Sequence, residues 1–465
     1  MHCYDGGPAN GFVMSLLKTL FELPPQAAPV QSAYRKELVT EATLPMCFAV
    51  MEGGFAGVIA DKIFAASPLV IAVIAAAPMF SNLSSFAWAR LIRGKPKVKI
   101  LVWLQATILF FTGLIALTPT AEEGGLWMFV ACILIVRILM AGQVTARSLV
   151  WSLNYGRNVR ARITARLTIV SSLAMVLVAM GGGLLMDASP ESFRWIFVLA
   201  AVAGVVGVNA FSRVTVLGEA EYLKTETDES SASATGMWQV LRRDKKFAEY
   251  QTYQFLAGIS NMMLEAPIIY LVSNQLGASY TTSIAITLII PFALSLVTLP
   301  FWANYLDKNH VTLFRARQSS LWVLCQVIMF FGAIMSSLLV LGLGRLVLGI
   351  ARGGGSLAWT LGHNDFARPS ELGAYMGAHV TLTGIRGAFA PFIGILLYLG
   401  WAENSILPGY DGLGAGVFLL AAFLSGISWL GYRRMKRTMV LDKTFDKTSD
   451  SEGLAPLESN TGDKK

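Results

Sequence analysis

The chain has 465 residues, of which 54% are hydrophobic and only 14% charged, with a mean hydropathy of +0.57. A soluble protein carries roughly a quarter charged residues, so this composition excludes a soluble multidomain protein and points to a polytopic membrane protein. The net charge of +8 does not indicate a nucleic-acid partner, because the basic residues gather in short segments between apolar blocks, the pattern that orients a membrane protein.

Near the start, Phe12, Val13, Leu16, Leu17, Leu20 and Leu23 share one helical face, with Ser15, Lys18 and Glu22 opposite and Pro24-Pro25 at the end. This predicts a short amphipathic helix on the inner membrane surface, with partner docking as the alternative. No basic n-region followed by an apolar h-region opens the chain, so no secretory signal peptide is expected. A hydrocarbon core of ~30 Å needs ~20 apolar residues in a helix. Twelve stretches answer to that, near 43–61, 67–89, 98–117, 125–146, 167–186, 194–213, 248–272, 280–302, 318–335, 338–359, 375–399 and 413–432.

The connections set the orientation. Arg90, Arg93, Lys95, Lys97 and Lys99 follow the second span; Arg147, Arg157, Arg160, Arg162 and Arg166 follow the fourth; Lys308, Arg315 and Arg317 follow the eighth. Arg433, Arg434, Lys436 and Arg437 follow the twelfth, while the alternate connections carry Glu122, Glu123, Asp187, Glu191, Glu403 and Asp411. Positive charge stays inside, which places both termini in the cytoplasm. The expected organisation is an N-terminal segment 1–36, a six-helix bundle 37–214, a flexible polar linker 215–246, a second bundle 247–433 and a disordered tail 434–465.

The two bundles repeat. Arg345 follows Arg137 by 208 positions, and at that offset Ser148-Leu149-Val150-Trp151-Ser152-Leu153 falls on Ser356-Leu357-Ala358-Trp359-Thr360-Leu361. At an offset of 213, Glu52 maps to Glu265 and Pro78 to Pro291. Six spans per half return the chain to its starting side, so the repeat is parallel, about an axis along the membrane normal. The two prolines predict kinks, either static or bending during gating. The runs Gly181-Gly182-Gly183 and Gly353-Gly354-Gly355 predict close packing or bending.

Twelve spans in a 6+6 arrangement with a central cytoplasmic loop resemble the major facilitator superfamily. Ala87-Trp88-Ala89-Arg90-Leu91-Ile92-Arg93-Gly94-Lys95 is similar to the family's Gly-x-x-x-Asp-Arg/Lys-x-Gly-Arg/Lys motif after the second span, without its Asp. Ala303-Asn304-Tyr305-Leu306-Asp307-Lys308 has the Asp-Lys pair, and Arg345-Leu346-Val347-Leu348-Gly349 fits the Arg-x-x-x-Gly of the fourth span; Arg137 precedes Ala141-Gly142, one residue late. The resemblance covers roughly 37–435. It implies an all-α membrane fold in which the first, fourth, seventh and tenth spans line a central cavity, with Arg90, Arg93, Asp307 and Lys308 at the inner gate.

A charge in the bilayer centre costs at least ~2.5–3.5 kcal/mol on insertion scales. Glu52, Arg137, Glu265 and Arg345 all lie deep in apolar segments, and the resemblance pairs Glu52 with Arg137 and Glu265 with Arg345. Each pair can exchange a proton, or its Arg can clamp an anionic substrate; a fixed salt bridge is the structural alternative. Arg386, in Thr383-Gly384-Ile385-Arg386-Gly387, either faces substrate or latches the gate. His379 reads as a polar residue at the cytoplasmic end, with a proton relay as the second reading. Asn82, Gln105, Gln143, Gln254, Asn261 and Gln326 are polar residues within spans that bond between helices or touch substrate.

Cys3, Cys47, Cys132 and Cys325 are scattered without metal spacing and read as small buried apolar residues. No Gly-x-x-x-x-Gly-Lys-Ser/Thr loop and no nucleophile–base set is evident, so ATP-driven transport and enzymatic activity are not expected. The fifth span lacks the Gly-Pro dipeptide of the family's antiporter motif. The expectation is a secondary transporter of the inner or plasma membrane, a monomer without cofactor or metal, moving a small organic anion or zwitterion by alternating access with proton coupling. A lipid or amphiphile flippase and a non-transporting receptor or scaffold of the same fold are the alternatives.

Overall fold

A computed structural model describes residues 27–120, 123–228, 237–367, 371–403 and 408–441; the N-terminal amphipathic helix and the tail beyond Leu441 lie outside them. The described chain is helical apart from one isolated bridge, Trp401 with Tyr410. The first half comprises α1 (Ala28–Lys62), α2 (Pro68–Leu83, continued by Ser85–Ile92), α3 (Lys97–Leu117), α4 (Gly124–Asn154), α5 (Arg157–Ala188) and α6 (Phe193–Ser212). The second half comprises α7 (Lys245–Gln275), α8 (Tyr280–Leu306), α9 (Val311–Ile334), α10 (Leu338–Leu361), α11 (Leu372–Leu399) and α12 (Gly416–Leu441). Eleven of the described helices are long and apolar enough to cross a membrane, and the apolar stretch of α2 is 16 residues long before its continuation.

The helices outrun the apolar stretches on the side of the termini. α1 begins fifteen residues before the expected 43, because Glu37 and Glu41 break the hydropathy pattern while remaining buried. The linker also differs from expectation: it carries helices Glu219–Asp228 and Met237–Arg243. Glu219 accepts a hydrogen bond from Lys97 N at the start of α3 at 2.6 Å, a carboxylate on a helix N-terminus. Arg243 pairs with Glu371 at 2.7 Å, and Tyr375 donates to Asp244 at 2.8 Å.

The two halves meet unequally along their length. One large apolar cluster joins α1 (Phe55, Val58, Ile59) to α7 and α8 (Ile268, Ile269, Ile286). Three further clusters on the side of the termini each stay within one half. On the far side the halves are tied by polar bonds: Asp61 accepts from Ser273 at 2.5 Å and from Asn274 at 3.1 Å. Asp187 of α5 caps the first turn of α8, accepting from Tyr280 N at 2.6 Å and Thr281 N at 3.2 Å. The protein is thus closed on the far side.

α7 breaks at Met263–Leu264, and Pro267 supplies no N–H to the Met263 carbonyl one turn earlier. Gly394 of α11 packs on that bare carbonyl so closely that a Cβ would collide with it. Gly394→Ala is therefore expected to lower the thermal midpoint of the purified protein, since overpacking costs about 1–3 kcal/mol. Gly377→Ala, which has open space around it, is expected to leave the midpoint unchanged or higher.

Candidate substrate and coupling site

The central feature is a broken α1. Glu52 adopts an extended backbone (φ −64°, ψ 141°), and the N–H groups of Phe55 and Ala56 both bond to its carbonyl at 2.9 and 2.8 Å. Met51 O thereby loses the partner that a continuous helix would give it. Arg137 of α4 takes it, with Nη2 donating at 2.6 Å and Nε at 3.2 Å, while Nη1 reaches Glu52 Oε1 at 3.1 Å. One guanidinium thus neutralises a mid-membrane carboxylate and satisfies a mid-membrane carbonyl, both costly if left bare.

The second half solves the same problem in a different helix. α8 contains a π-helical turn at Ala285–Ile289, in which Ile290 N bonds to Ala285 O and so leaves Ile286 O free. Pro291 then provides no donor for Thr287 O. Arg345 of α10 fills both vacancies, with Nε donating to Ile286 O at 2.9 Å and Nη2 to Thr287 O at 2.6 Å. Glu265, just past the break in α7, lies 3.9 Å from Arg345 Nη2. The side chains of Glu52 and Glu265 are 24% and 34% exposed in mid-span, against 6% and 2% for their arginines. The Thr287 hydroxyl donates to Gly54 O at 2.9 Å across the two halves, linking the neighbourhoods of the two pairs.

Arg386 is buried, donates to Gln254 O and, at 3.2 Å, to Thr383 Oγ1, and packs over Gly258. It braces α11 against α7 and makes none of the described bonds to the two Glu/Arg pairs. His379 is buried within hydrogen-bond reach (3.1 Å) of Gln251 Oε1. Arg90, Arg93, Asp307 and Lys308 are exposed at the ends of α2 and α8 on the side of the termini, and the described ion pairs include none of Arg90, Asp307 or Lys308. Outside the spans, burial holds the His310 and His363 imidazoles below their ordinary range, with Asp365 opposing it.

Sequence reasoning missed one charged cluster. Arg147 is not a loop residue: it is buried in α4, paired with Glu37 at 3.2 Å and with Glu41. Trp151 and Tyr155 also donate to Glu37, each at 2.6 Å. The 213-residue offset places Tyr250 and Gln254 where Glu37 and Glu41 stand, a signal that could have drawn attention to these carboxylates.

The family model of the Major Facilitator Superfamily matches residues 42–391. The chain belongs to this superfamily. No curated protein matches the sequence. A solved D-xylose-proton symporter is similar at 13% identity and a TM-score of 0.66, over 87% of this chain and 97% of that one. The nucleoside transporter NupG is similar at 12% identity and a TM-score of 0.62, over 88% and 99%. The inward-open xylose transporter XylE of E. coli is similar at 11% identity and a TM-score of 0.61, over 86% and 95%. At these identities the likeness is one of fold, and the family makes this chain a membrane transporter, not an enzyme.

Glu37→Gln is expected to lower stability more than Glu52→Gln, because removing one partner from a fully buried ion pair costs about 3–5 kcal/mol and Glu52 is partly exposed. Thermal midpoints of the two purified variants check this; equal midpoints would contradict it.

Proposed function

We propose that this superfamily member moves a small organic anion or zwitterion across the inner or plasma membrane as a proton-coupled monomer with both termini in the cytoplasm. The observation that carries the reading is the pair of partly exposed carboxylates in mid-span, each at a helix break against a buried arginine. A carboxylate there is stable when paired or when protonated, so movement of its arginine by a small distance exchanges one condition for the other. Glu265 is the looser partner, 3.9 Å from Arg345, and we assign it the proton. Arg345 uses Nε and Nη2 on carbonyls and has no partner for Nη1 among the described hydrogen bonds, which suits a substrate carboxylate or phosphate. Glu52 and Arg137 form the more saturated pair and hold the α1 break.

With both termini cytoplasmic, the bonds of Asp61 and Asp187 close the outer side of the protein. Arg90, Arg93, Asp307 and Lys308 then belong to a latch that forms when the cytoplasmic ends approach, and Arg386 positions α11 for that movement. Alternating access follows from rocking one half on the other.

The test is substrate and proton flux in proteoliposomes across organic acids, amino acids, amphiphiles, and the pentoses and nucleosides named for the solved relatives. Arg345→Lys is expected to reduce transport about tenfold or more, because a planar fork serving several acceptors is lost and each charge-assisted bond contributes about 1.5–3 kcal/mol. Glu265→Gln is expected to uncouple substrate movement from proton flux. Full coupled activity in both variants would remove these residues from the mechanism.

A further inference from the structure

A cavity of about 580 Å³ lies outside the path between the halves, against the ends of α9 and α12 on the side of the termini. Four cations line it: Arg317 from α9, and Arg433, Lys436 and Arg437 from α12. No acidic residue is among its described lining residues. By contrast, Glu37 and Glu41 neutralise the buried Arg147. Like charges converging without a counter-ion repel, so the cavity is arranged for an anion supplied from outside the described chain.

Two of the cations lie over aromatic rings. Arg317 lies 5.2 Å from the centre of the Tyr305 ring and Arg433 lies 5.1 Å from that of Trp429. Trp429 is itself fixed, donating from Nε1 to Ala316 O at 3.0 Å. Cation–π attraction steadies each guanidinium, whose planar fork suits bidentate recognition of a phosphate.

The surface leading away from the cavity names the source of the phosphate. On α12, Phe423 (65% exposed), Ile427 and Leu430 (58%) stand at i, i+4 and i+7 on the helix that carries Arg433 and Arg437. On α9, Leu324 and Phe331 are exposed on the helix that carries Arg317. A phosphate seated among the cations has an apolar face beside it, running toward the membrane centre, for two acyl chains. Basic pockets between transmembrane helices take anionic headgroups in this manner.

We propose that this cavity binds the phosphate group of an anionic phospholipid in the leaflet on the side of the termini. The site lies wholly in the second half and touches none of the residues assigned to transport above.

The test uses the purified full chain, so that the acidic residues after Leu441 are present as competitors. Native mass spectrometry and thermal midpoints are read during titration with dioleoyl phosphatidylglycerol, dioleoyl phosphatidylcholine and soluble glycerol 3-phosphate. Phosphatidylglycerol is expected to be retained and to raise the midpoint, and phosphatidylcholine is not. Arg433→Gln with Arg437→Gln is expected to weaken phosphatidylglycerol about thirtyfold, at the usual contribution of a cation near an anionic surface. The charge-preserving pair Arg433→Lys with Arg437→Lys is expected to bind phosphatidylglycerol less tightly than the native chain, because the planar fork is lost, but more tightly than the glutamine pair, which separates loss of the site from misfolding. Equal binding of glycerol 3-phosphate, lost in the glutamine variant, would keep the phosphate site and overturn its lipid source. Equal retention of both lipids, or unchanged binding in the glutamine variant, would overturn the proposal.

Discussion

A bilayer offers no water to a broken helix, and in this protein two arginine side chains supply what water would. Arg137 donates to Met51 O where α1 breaks, and Arg345 donates to Ile286 O and Thr287 O where α8 widens. Helix breaks at membrane depth survive only where the freed backbone groups find partners inside the protein. Each guanidinium also sits beside a carboxylate, so charge, carbonyl and helix break stabilise one another. If either arginine were removed, a buried carbonyl and a carboxylate would be exposed together. The placement of α1, α4, α8 and α10 around the centre follows from that mutual need.

The repeat is symmetric in sequence spacing and asymmetric in chemistry. The offset of 213 carries Glu37 to Tyr250, Glu41 to Gln254 and Asp61 to Asn274. In the first half the carboxylates neutralise Arg147. In the second half Arg315 and Arg386 are buried with no ion pair among the described residues, and Gln318 and the Gln254 carbonyl serve as their acceptors. Asp61 and Asn274, related by the repeat, bond to each other across the halves at 3.1 Å. The repeat thus places two corresponding side chains against each other, one a carboxylate and the other an amide that donates to it. The second half is thus left with two buried arginines, Arg315 and Arg386, that no carboxylate among the described residues neutralises, which accords with an anion approaching Arg345.

Much of this was legible in the sequence. Twelve apolar stretches gave the spans, insertion cost singled out Glu52, Arg137, Glu265 and Arg345 as rare and informative charges, and the resemblance to the superfamily implied their pairing. The start of α1 was not legible: Glu37 and Glu41 read as the polar flank of a span, although Arg147, Trp151 and Tyr155 fold over them. Arg147 and Arg315 likewise read as loop charges, since hydropathy cannot separate a buried neutralised arginine from an exposed one. Pro291 was visible as a kink, but its consequence, a carbonyl freed for Arg345, depends on contact between α8 and α10. The linker helices Glu219–Asp228 and Met237–Arg243 were hidden by their polar composition, which resembles that of a disordered segment.

The most direct test of this account is the distance between spin labels placed at Lys95 and Asn304, exposed near the ends of α2 and α8 on the side of the termini, measured by pulsed electron resonance as pH is varied. The account predicts two populations whose ratio shifts with pH in the otherwise native protein, and a ratio that no longer responds when Glu265 is replaced by Gln. The same pH-dependent shift in that variant would contradict it, because protonation of Glu265 would then not be what moves the halves.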